Sequence, residues 1–312
     1  MTPALAQANN GNWQTAHRWA RLLRPAYRVH LAERWDGGDE ALLIALHARR
    51  SAGAIAAWRA AHPARPVVLV MTGTDLYRDI ASDAAAQRSL LLADALVVLN
   101  ELGPRQLPTA LRAKAHVVLQ SCAARAPLAH TRRHLRAVMA GHLRDEKDPR
   151  CYWRAARRLA GRPDLRLDHI GAALDPVLGA EAAALTATQA NFRWLGGLAH
   201  AAVRRHIQAA HVLVHASRLE GGAHVVIEAM RSGTPVLASR IDGNVGLLGE
   251  DYEGYFEPGD DATLATLLAQ ARDDADMLPR LTAQLAPRAA LFAPEAERAT
   301  LRRLVGALLS SP

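Results

Sequence analysis

The sequence is poor in the residues that build disulfide frameworks, metal clusters and membrane spans. It has only two cysteines, Cys122 and Cys151, in 312 residues, which is too few for a disulfide framework or a cysteine metal cluster. No apolar run approaches the ~20 residues that a membrane helix needs. The opening MTPALAQANNGNW lacks the basic start and apolar stretch of a secretion signal. We therefore expect a cytoplasmic protein without a membrane partner.

Aromatic residues are scarce as well, with six Trp, five Tyr and three Phe, so platforms for stacking single-stranded nucleic acid are few. The net charge of +8 and the pI near 10.2 are compatible with nucleic acid or with a small anionic substrate. The basic residues are mixed with acidic ones, and the richest run, TRRHLR at 131–136, is short. We predict a small-molecule substrate and no nucleic acid.

Fourteen histidines raise the question of a metal site. His130 and His134 are four apart in a predicted helix, but no carboxylate accompanies them. No H-E-x-x-H motif occurs. We therefore predict neither a metal nor any other cofactor.

Short β-rich apolar runs alternate with Ala/Leu/Arg stretches of helical length, a pattern that predicts parallel sheets covered by helices on both faces. The first series of predicted strands lies at 27–31, 41–46, 66–71, 95–100 and 116–120, and a second series begins near Ala137. We predict an α/β fold of two Rossmann-like domains facing across a cleft. Residues 1–130 form the N-terminal acceptor domain and residues 131–291 the C-terminal nucleotide-sugar domain. The helix at 292–312 could pack back on the first domain, and the short first strand suggests a start truncated relative to relatives.

The segment EGGAHVVIEAM, residues 220–230, places two carboxylates around a Gly pair and a predicted helix start. Gly221 and Gly222 allow close backbone approach to a ligand, and a helix starting near Ala223 offers N–H groups to an anion such as a pyrophosphate. Glu228 lies in the second turn and can accept hydrogen bonds from a ribose diol. Glu220 precedes the glycines, where it could hold the hydroxyls of a sugar.

These residues resemble the E-x7-E segment of GT-B glycosyltransferases of the family 4 type, and the similarity runs along nearly the whole chain. AGHLRDEKDPR, residues 140–150, is similar to the segment that opens the nucleotide-binding domain of that family. The resemblance implies a GT-B fold, a UDP- or GDP-sugar donor and no metal. It also implies that Lys147 grips the donor diphosphate, with His142 in the place of the usual arginine and Arg144 as a second source of charge.

Within the family, MTGTDLYRDI and SRIDGNVGLLGEDYEGYF are similar to segments of the selenosugar synthases of selenoneine biosynthesis. This likeness implies a UDP-sugar donor, UDP-N-acetylglucosamine or UDP-glucose, and selenophosphate as acceptor. Thr72 stands where many relatives have a histidine. An anionic selenium nucleophile needs positioning and charge neutralisation more than proton removal.

An anionic acceptor should contact the loops that follow the strands of the first domain. Asn10, Gly11 and Asn12 either bind it through backbone amides or simply cap a helix. Arg49, Thr72 and Thr74 are the other candidates, and Asp75 either caps the next helix or touches substrate.

In the second domain, Gly243 and Asn244 follow a strand and are expected at the donor. We predict Glu220 and Lys147 as catalytic residues. The alternatives are a GT-B enzyme that acts on a hydroxyl acceptor and a non-catalytic nucleotide-sugar or nucleic-acid binder. The sequence predicts no particular oligomeric state.

Overall fold

The computed structural model describes residues 1–3 and 11–310. The chain divides into two compact units. Unit 1 comprises Met1–Ser121, Glu220–His224 and Phe292–Pro312, and unit 2 comprises Cys122–Leu219 and Val225–Leu291. Each unit is built on a parallel sheet with helices, which confirms the predicted α/β class. Within the described residues, no helix has the length and apolar character needed to traverse a bilayer.

Unit 1 carries a four-stranded sheet in the order β1-β2-β3-β4, and every neighbouring pair is parallel. Its helices and strands, numbered in chain order, are α1 (Gly11–Leu23), β1 (Leu43–Leu46), α2 (Ala52–Ala61), β2 (Val67–Val70), α3 (Ile80–Ser82), α4 (Ala84–Leu92), β3 (Ala95–Val98), β4 (Ala115–Val117) and α12 (Pro294–Ser310). A π-helical turn, Asp75–Asp79, follows β2.

Strands β2 and β3 are buried on both faces, as their unbroken apolar runs predict, whereas His116 of the edge strand β4 is exposed. Successive residues of a strand point to opposite faces of the sheet. Leu69 and Leu96 accordingly belong to one core cluster, whereas Val70 and Val97 belong to another. This double burial fixes the carboxyl edge of the sheet, where the candidate acceptor residues lie.

The strand predicted at Tyr27–Leu31 is wrong, because this stretch is irregular. Arg28 and His30 are exposed there, and their neighbours are only partly buried. The Tyr27 N–H donates back to the Leu23 carbonyl at 3.0 Å, and the Thr2 N–H donates to the Ala32 carbonyl just beyond the stretch at 3.0 Å. A β-rich composition needs a paired neighbour before it becomes a strand, and no described strand runs alongside.

The carboxylate of Glu297 fastens α12 to the rest of unit 1. It is buried and accepts hydrogen bonds from Arg18 Nε at 3.0 Å, Trp19 Nε1 at 2.7 Å and the Ser121 N–H at 2.9 Å. A buried charge is tolerated when donors surround it, so this network explains how the last helix is held in the unit.

Unit 2 carries a six-stranded parallel sheet in the order β10-β9-β8-β5-β6-β7. Its elements are β5 (Leu135–Ala140), α5 (Pro149–Arg158), β6 (Leu165–Ile170), α6 (Pro176–Thr188), β7 (Phe192–Trp194), α7 (His200–Ala209), β8 (Val212–His215), α8 (His224–Met230), β9 (Val236–Ser239), α9 (Asp242–Leu248), β10 (Tyr255–Phe256), α10 (Asp261–Asp273) and α11 (Met277–Ala289). The helix predicted around His130 and His134 is wrong, since residues 130–134 are not helical.

The strand order of unit 2 is that of a doubly wound sheet. The chain runs from β5 outward through β6 and β7, then returns to β8 on the other side of β5. In such sheets ligands bind outside the carboxyl ends of the strands, at the point where the order reverses. That point lies between β5 and β8, so the loops after these two strands frame the candidate donor site.

Candidate active site

The loop after β5 is held in place by a buried neutral histidine. Trp153 Nε1 donates to His169 Nδ1 at 3.0 Å, and His169 Nε2 lies 3.2 Å from the Gly141 carbonyl oxygen. Because an indole N–H can only donate, Nδ1 is the acceptor and Nε2–H donates to Gly141. Burial lowers the pKa of His169 to about 4, so the ring is neutral at pH 7 and the start of the loop is fixed without a charge.

Close backbone packing fixes the same loop from the β6 side. A Cβ on Gly171 would lie 1.9 Å from the Gly141 carbonyl oxygen, which no side chain could tolerate. Trp194 Nε1 donates to the Gly171 carbonyl at 2.8 Å, so the end of β7 is tied to this corner. Glycine is required at 171 for a close approach between two backbone segments.

His142 is a neutral group in the structure. Its Nδ1 accepts a hydrogen bond from the Ala172 N–H at 3.1 Å, which leaves Nε2 to carry the proton. Burial, followed by the charges of Arg144 and Lys147, lowers the pKa of His142. At neutral pH His142 can therefore donate one hydrogen bond to a ligand but cannot supply the charge of the arginine whose place it takes.

The positive charge of this loop comes from its neighbours. Arg144 is exposed, and its side chain has no hydrogen-bond or ion-pair partner among the described residues. Lys147 ends the 3₁₀ turn Asp145–Lys147, and its Cδ lies 3.5 Å from the position of a Cβ on Gly141. The loop after β5 therefore carries two cationic side chains.

The loop after β8 is bound to the loop after β5. The Arg218 N–H donates to the Glu146 carbonyl at 2.9 Å, and Arg218 Nε donates to Asp148 Oδ2 at 3.1 Å. Asp148 has φ of +43° and accepts from the Cys151 N–H at the start of α5. These hydrogen bonds therefore join the loops after β5 and β8 at the switch point of the sheet.

Glu228 is buried in α8, with 1% of its surface exposed. Its Oε1 lies 2.5 Å from His200 Nε2 and 3.8 Å from Arg204 Nε. The His200 side chain is half exposed, whereas the Arg204 side chain is largely buried. The carboxylate is thus turned inward toward two potential cations of α7.

Gly243 and Asn244 lie in the first turn of α9 rather than in a loop. Asn244 is completely buried, and its Nδ2 donates to the Ser239 carbonyl at 2.9 Å. Its side chain therefore braces the end of β9 and faces away from solvent. The expectation that Gly243 and Asn244 contact the donor stays a prediction, and the buried amide group of Asn244 argues against a contact through its side chain.

In unit 1, the Gly pair packs against the loops that follow β2 and β3. A Cβ on Gly221 would lie 2.5 Å from the Thr72 carbonyl carbon, and one on Gly222 would lie 2.8 Å from Leu99 Cβ. Asn100 Nδ2 donates to the Gly221 carbonyl at 2.8 Å. The glycines thus satisfy packing inside unit 1, which is a different reason from the ligand approach that the sequence suggests.

Glu220 and Ala223 flank these glycines. Both are buried, with 9% and 3% of their surface exposed, respectively. Helix α8 begins at His224, one residue later than predicted. Because Gly221 is wedged against Thr72, the position of Glu220 is coupled to the loop after β2. The structure therefore brings Glu220, Gly221, Gly222 and Thr72 together in one unit.

The loop after β2 is organised by Asp75. Its Oδ1 accepts from the Thr72 N–H and the Thr72 hydroxyl, both at 2.8 Å, and its Oδ2 accepts from the Ala48 N–H at 2.9 Å. The bond from the Thr72 N–H to the carboxylate three residues on is one half of a capping box. Asp75 is wholly buried and so serves the backbone of two loops, which favours the capping alternative over substrate contact.

The other candidates for acceptor binding are spread along the same edge. Arg49 is exposed, and its Nε donates to Asp79 at 2.9 Å, so its charge is partly neutralised. Thr74 is partly exposed, and its Oγ1 lies 3.3 Å from His47 Nε2. Gly11 and Asn12 form the first turn of α1, and Asn10 lies outside the described residues.

Several residues of the site belong to no sequence motif from which they could be identified. Asn100 comes two residues after β3 and ends the strand predicted at 95–100, where polar residues are to be inspected, so its role was recoverable from the sequence. Arg218 follows β8 and was recoverable on the same ground. His200 and Trp153 lie in helices far along the chain from their partners, and their roles depend on tertiary packing.

Two parallel α/β units, the second doubly wound with cations at its switch point, define the GT-B fold of glycosyltransferases. The chain belongs to the family described as glycosyl transferases group 1, whose model matches residues 123–286, just over half of the chain. The matched region lies almost entirely in unit 2 and includes the loop after β5 and both acids of the E-x7-E segment.

Solved structures with the same fold include three bacterial proteins. HepE of Anabaena, in complex with UDP, has a TM-score of 0.72 at 16% identity over 85% of this chain and 78% of its own. The sucrose-phosphate synthase of Thermosynechococcus elongatus has 0.71 at 18% identity over 87% and 74%. The pneumococcal O-GlcNAc transferase GtfA, with UDP and GlcNAc, has 0.70 at 18% identity over 86% and 57%. A search of curated protein sequences finds no significant match.

Proposed function

We propose that this protein is a glycosyltransferase that joins the sugar of UDP-N-acetylglucosamine or UDP-glucose to the selenium of selenophosphate, in selenoneine biosynthesis. Selenium attacks C1 of the sugar while the bond from C1 to the UDP oxygen breaks. Water then cleaves the phosphorus–selenium bond. The balanced reaction converts UDP-sugar, selenophosphate and water into a 1-seleno-sugar, UDP and phosphate.

The observation that carries the donor assignment is the rigid loop after β5 with its two cations. Arg144 has no partner of opposite charge among the described residues, and Lys147 lies two residues after Asp145 on the same turn. A diphosphate would neutralise the charge of Arg144, and arginine suits its geometry well. Nucleotide complexes of proteins with this fold, HepE with UDP and with UDP-glucose, support UDP as the nucleotide.

The two acids then take the two ends of the donor. Glu228 is buried where a ribose diol could reach its carboxylate, provided that His200 moves from Oε1. The half-exposed His200 side chain can move toward solvent, and the ribose hydroxyls would then replace its hydrogen bond to the buried carboxylate. Glu220 is assigned to the sugar, and Glu220 and Lys147 are the residues that we predict to be catalytic.

The acceptor assignment is supported by the chemistry at Thr72. The Thr72 hydroxyl donates to the buried Asp75, so this position offers neither a base nor a cation. A hydroxyl acceptor benefits from a proton acceptor near the reacting sugar, whereas selenophosphate is already an anion. The segments that resemble selenosugar synthases also support selenophosphate as the acceptor.

The decisive experiment incubates the purified protein with UDP-N-acetylglucosamine and enzymatically prepared selenophosphate, with and without EDTA. We expect a seleno-sugar with the isotope pattern of selenium, one equivalent of UDP and no effect of EDTA. UDP release that does not depend on selenophosphate would contradict the proposal.

Two variants test the division of roles between the acids. Glu228→Ala should weaken donor binding by roughly 1–3 kcal/mol, about 5- to 150-fold, through lost charge-assisted hydrogen bonds. Glu220→Ala should instead lower turnover by about 100-fold, as loss of a transition-state contact does. The exposed Glu257 provides a matched control, and Glu257→Ala should leave both quantities unchanged.

The competing function is transfer to a hydroxyl group of a sugar, lipid or polysaccharide. Family membership favours it as much as it favours the selenium reaction. A screen of hydroxyl acceptors with the same donor separates the two, because turnover with any of them above that with selenophosphate would reverse the assignment.

A further inference from the structure

His47 is held in a strained and buried position at the carboxyl end of β1. Its φ is +74°, a conformation that is unusual for a residue with a side chain. Only 2% of its surface is exposed. Strain of this kind is retained where the surrounding structure fixes it, and it is concentrated at functional sites.

The imidazole of His47 bridges a buried acid and a surface hydroxyl. Nε2 lies 3.3 Å from Thr74 Oγ1, and Nδ1 lies 3.9 Å from Asp75 Oδ2. Nδ1 is buried and has no hydrogen-bond partner among the described residues. The partly exposed Thr74 hydroxyl is therefore the point at which this chain of groups reaches the surface.

Neither neutral form of His47 both suits Asp75 and leaves the hydroxyl hydrogen of Thr74 free. With the proton on Nε2, the ring donates to Thr74, but the lone pair of Nδ1 faces the Asp75 carboxylate. With the proton on Nδ1, the ring faces Asp75 favourably, but Nε2 must then accept the hydroxyl proton of Thr74. The cation satisfies both contacts and leaves the Thr74 hydroxyl hydrogen free for an external acceptor.

In the absence of a ligand, the cation is disfavoured. Burial lowers the pKa of His47, and the charges of Arg50 and Arg49 lower it further, against the raising effect of Asp75 and Asp79. At neutral pH the free protein therefore holds a neutral ring. An anion at Thr74 would shift this balance toward the cation.

We propose that Thr74, backed by His47 and Asp75, is a binding site for a phosphate-like oxyanion that is occupied together with one proton taken up by His47. The exposed Arg50, which has no hydrogen-bond or ion-pair partner among the described residues, supplies a further charge on the same loop. The identification of this oxyanion with the phosphoryl group of selenophosphate rests on the proposed function. The site itself does not, because any tetrahedral dianion would satisfy it.

Sulfate is the suitable probe, because it does not titrate near neutral pH and carries the right charge and shape. Calorimetry in two buffers of different ionisation enthalpy measures the protons taken up on binding. For the wild type above neutral pH we expect close to one proton per sulfate. We also expect an affinity that falls about tenfold per pH unit, as linkage to one proton requires.

Three variants locate the effect. Thr74→Val removes the hydroxyl at nearly constant shape and should lower sulfate affinity about tenfold, whereas Thr74→Ser keeps the hydroxyl and should match the wild type. His47→Asn should bind sulfate without proton uptake and without pH dependence, and asparagine accepts the left-handed conformation. Thermal melts establish that each variant folds.

The proposal is overturned if the wild type binds no sulfate, if sulfate binds without proton uptake, or if Thr74→Val binds as tightly as the wild type. None of these measurements contains a UDP-sugar or selenium. Proton-linked sulfate binding without seleno-sugar formation would thus refute the proposed function alone. Seleno-sugar formation without proton-linked binding would refute this inference alone.

Discussion

The loop after β2 in unit 1 and the loop after β5 in unit 2 are held by opposite chemistry. In unit 1 the buried carboxylate of Asp75 collects the backbone N–H groups of Thr72 and Ala48. In unit 2 the neutral ring of His169 donates to Gly141, while the cation of Arg144 remains without a partner among the described residues. The comparison teaches that a buried carboxylate organises the loop in unit 1, whereas a neutral imidazole organises the loop in unit 2 and leaves the Arg144 cation available to a ligand.

The largest effect is expected from removal of the carboxylate in unit 1. Asp75→Ala leaves two buried N–H groups without acceptors and should lower the free energy of unfolding by about 3–5 kcal/mol. Urea titration combined with hydrogen exchange should locate the loss in unit 1. Asp83→Ala, which removes the N-cap acceptor of α4, is a control expected to cost only about 1 kcal/mol, and equal losses would show that Asp75 is an ordinary cap.

Close packing of glycine is the feature that the two loops share. Gly171→Ala would bring a methyl group within 1.9 Å of the Gly141 oxygen, and Gly221→Ala would bring one within 2.5 Å of the Thr72 carbonyl carbon. Each should cost about 3 kcal/mol in unfolding free energy, the upper end for an overpacked site. Gly53→Ala in α2, with nothing within 4 Å of the added carbon, should instead stabilise by about 0.5–1 kcal/mol.

The histidine of unit 2 predicts a dependence of stability on pH. The folded-state pKa of His169 is about 4, below the value of about 6.5 in an unfolded chain. Its contribution is therefore complete above pH 6.5 and is lost as the pH falls, by about 2 kcal/mol at pH 5. The free energy of unfolding should differ less between pH 7.5 and pH 5 in His169→Asn than in the wild type. An unchanged pH dependence would contradict the assigned role.

The smallest effect is expected at the exposed cation. Arg144→Gln should raise the KM for the donor by roughly tenfold, about 1.4 kcal/mol, through loss of one charge-assisted contact. Its stability should be unaffected, because the Arg144 side chain has no hydrogen-bond or ion-pair partner in the described part of the chain. His142→Gln, which removes a neutral ring, should leave the salt dependence of donor binding as it is, whereas Arg144→Gln should reduce it.

Much of the fold could be predicted because it is encoded in short stretches. The runs at 66–71 and 95–100 are apolar throughout most of their length, and both became strands buried on two faces. Tyr27–Leu31 has a similar β-rich composition but no described strand beside it, and it remained irregular. A strand needs a neighbour for its backbone hydrogen bonds, and a local sequence cannot supply one.

The candidate site likewise has one part that local sequence predicts and one part that depends on tertiary packing. The resemblance of residues 140–150 predicts that Lys147 binds the diphosphate, and the helix position of Glu228 predicts that it binds a diol; both stay predictions. The pairing of Glu228 with His200 across 28 residues of sequence, and the inward turn of Asn244 toward Ser239, depend on which elements pack together.

The sequence by itself determined the alternation of strands and helices, the Gly pair and the charged residues that follow the strands. Only the tertiary structure decided that the glycines pack against backbone, that Asp75 serves two loops and that His47 is strained between an acid and a hydroxyl. The physical reason is range: burial patterns and turn preferences act between near neighbours in the chain. Hydrogen-bond partners and steric contacts are instead set by whichever distant segment occupies the adjoining space.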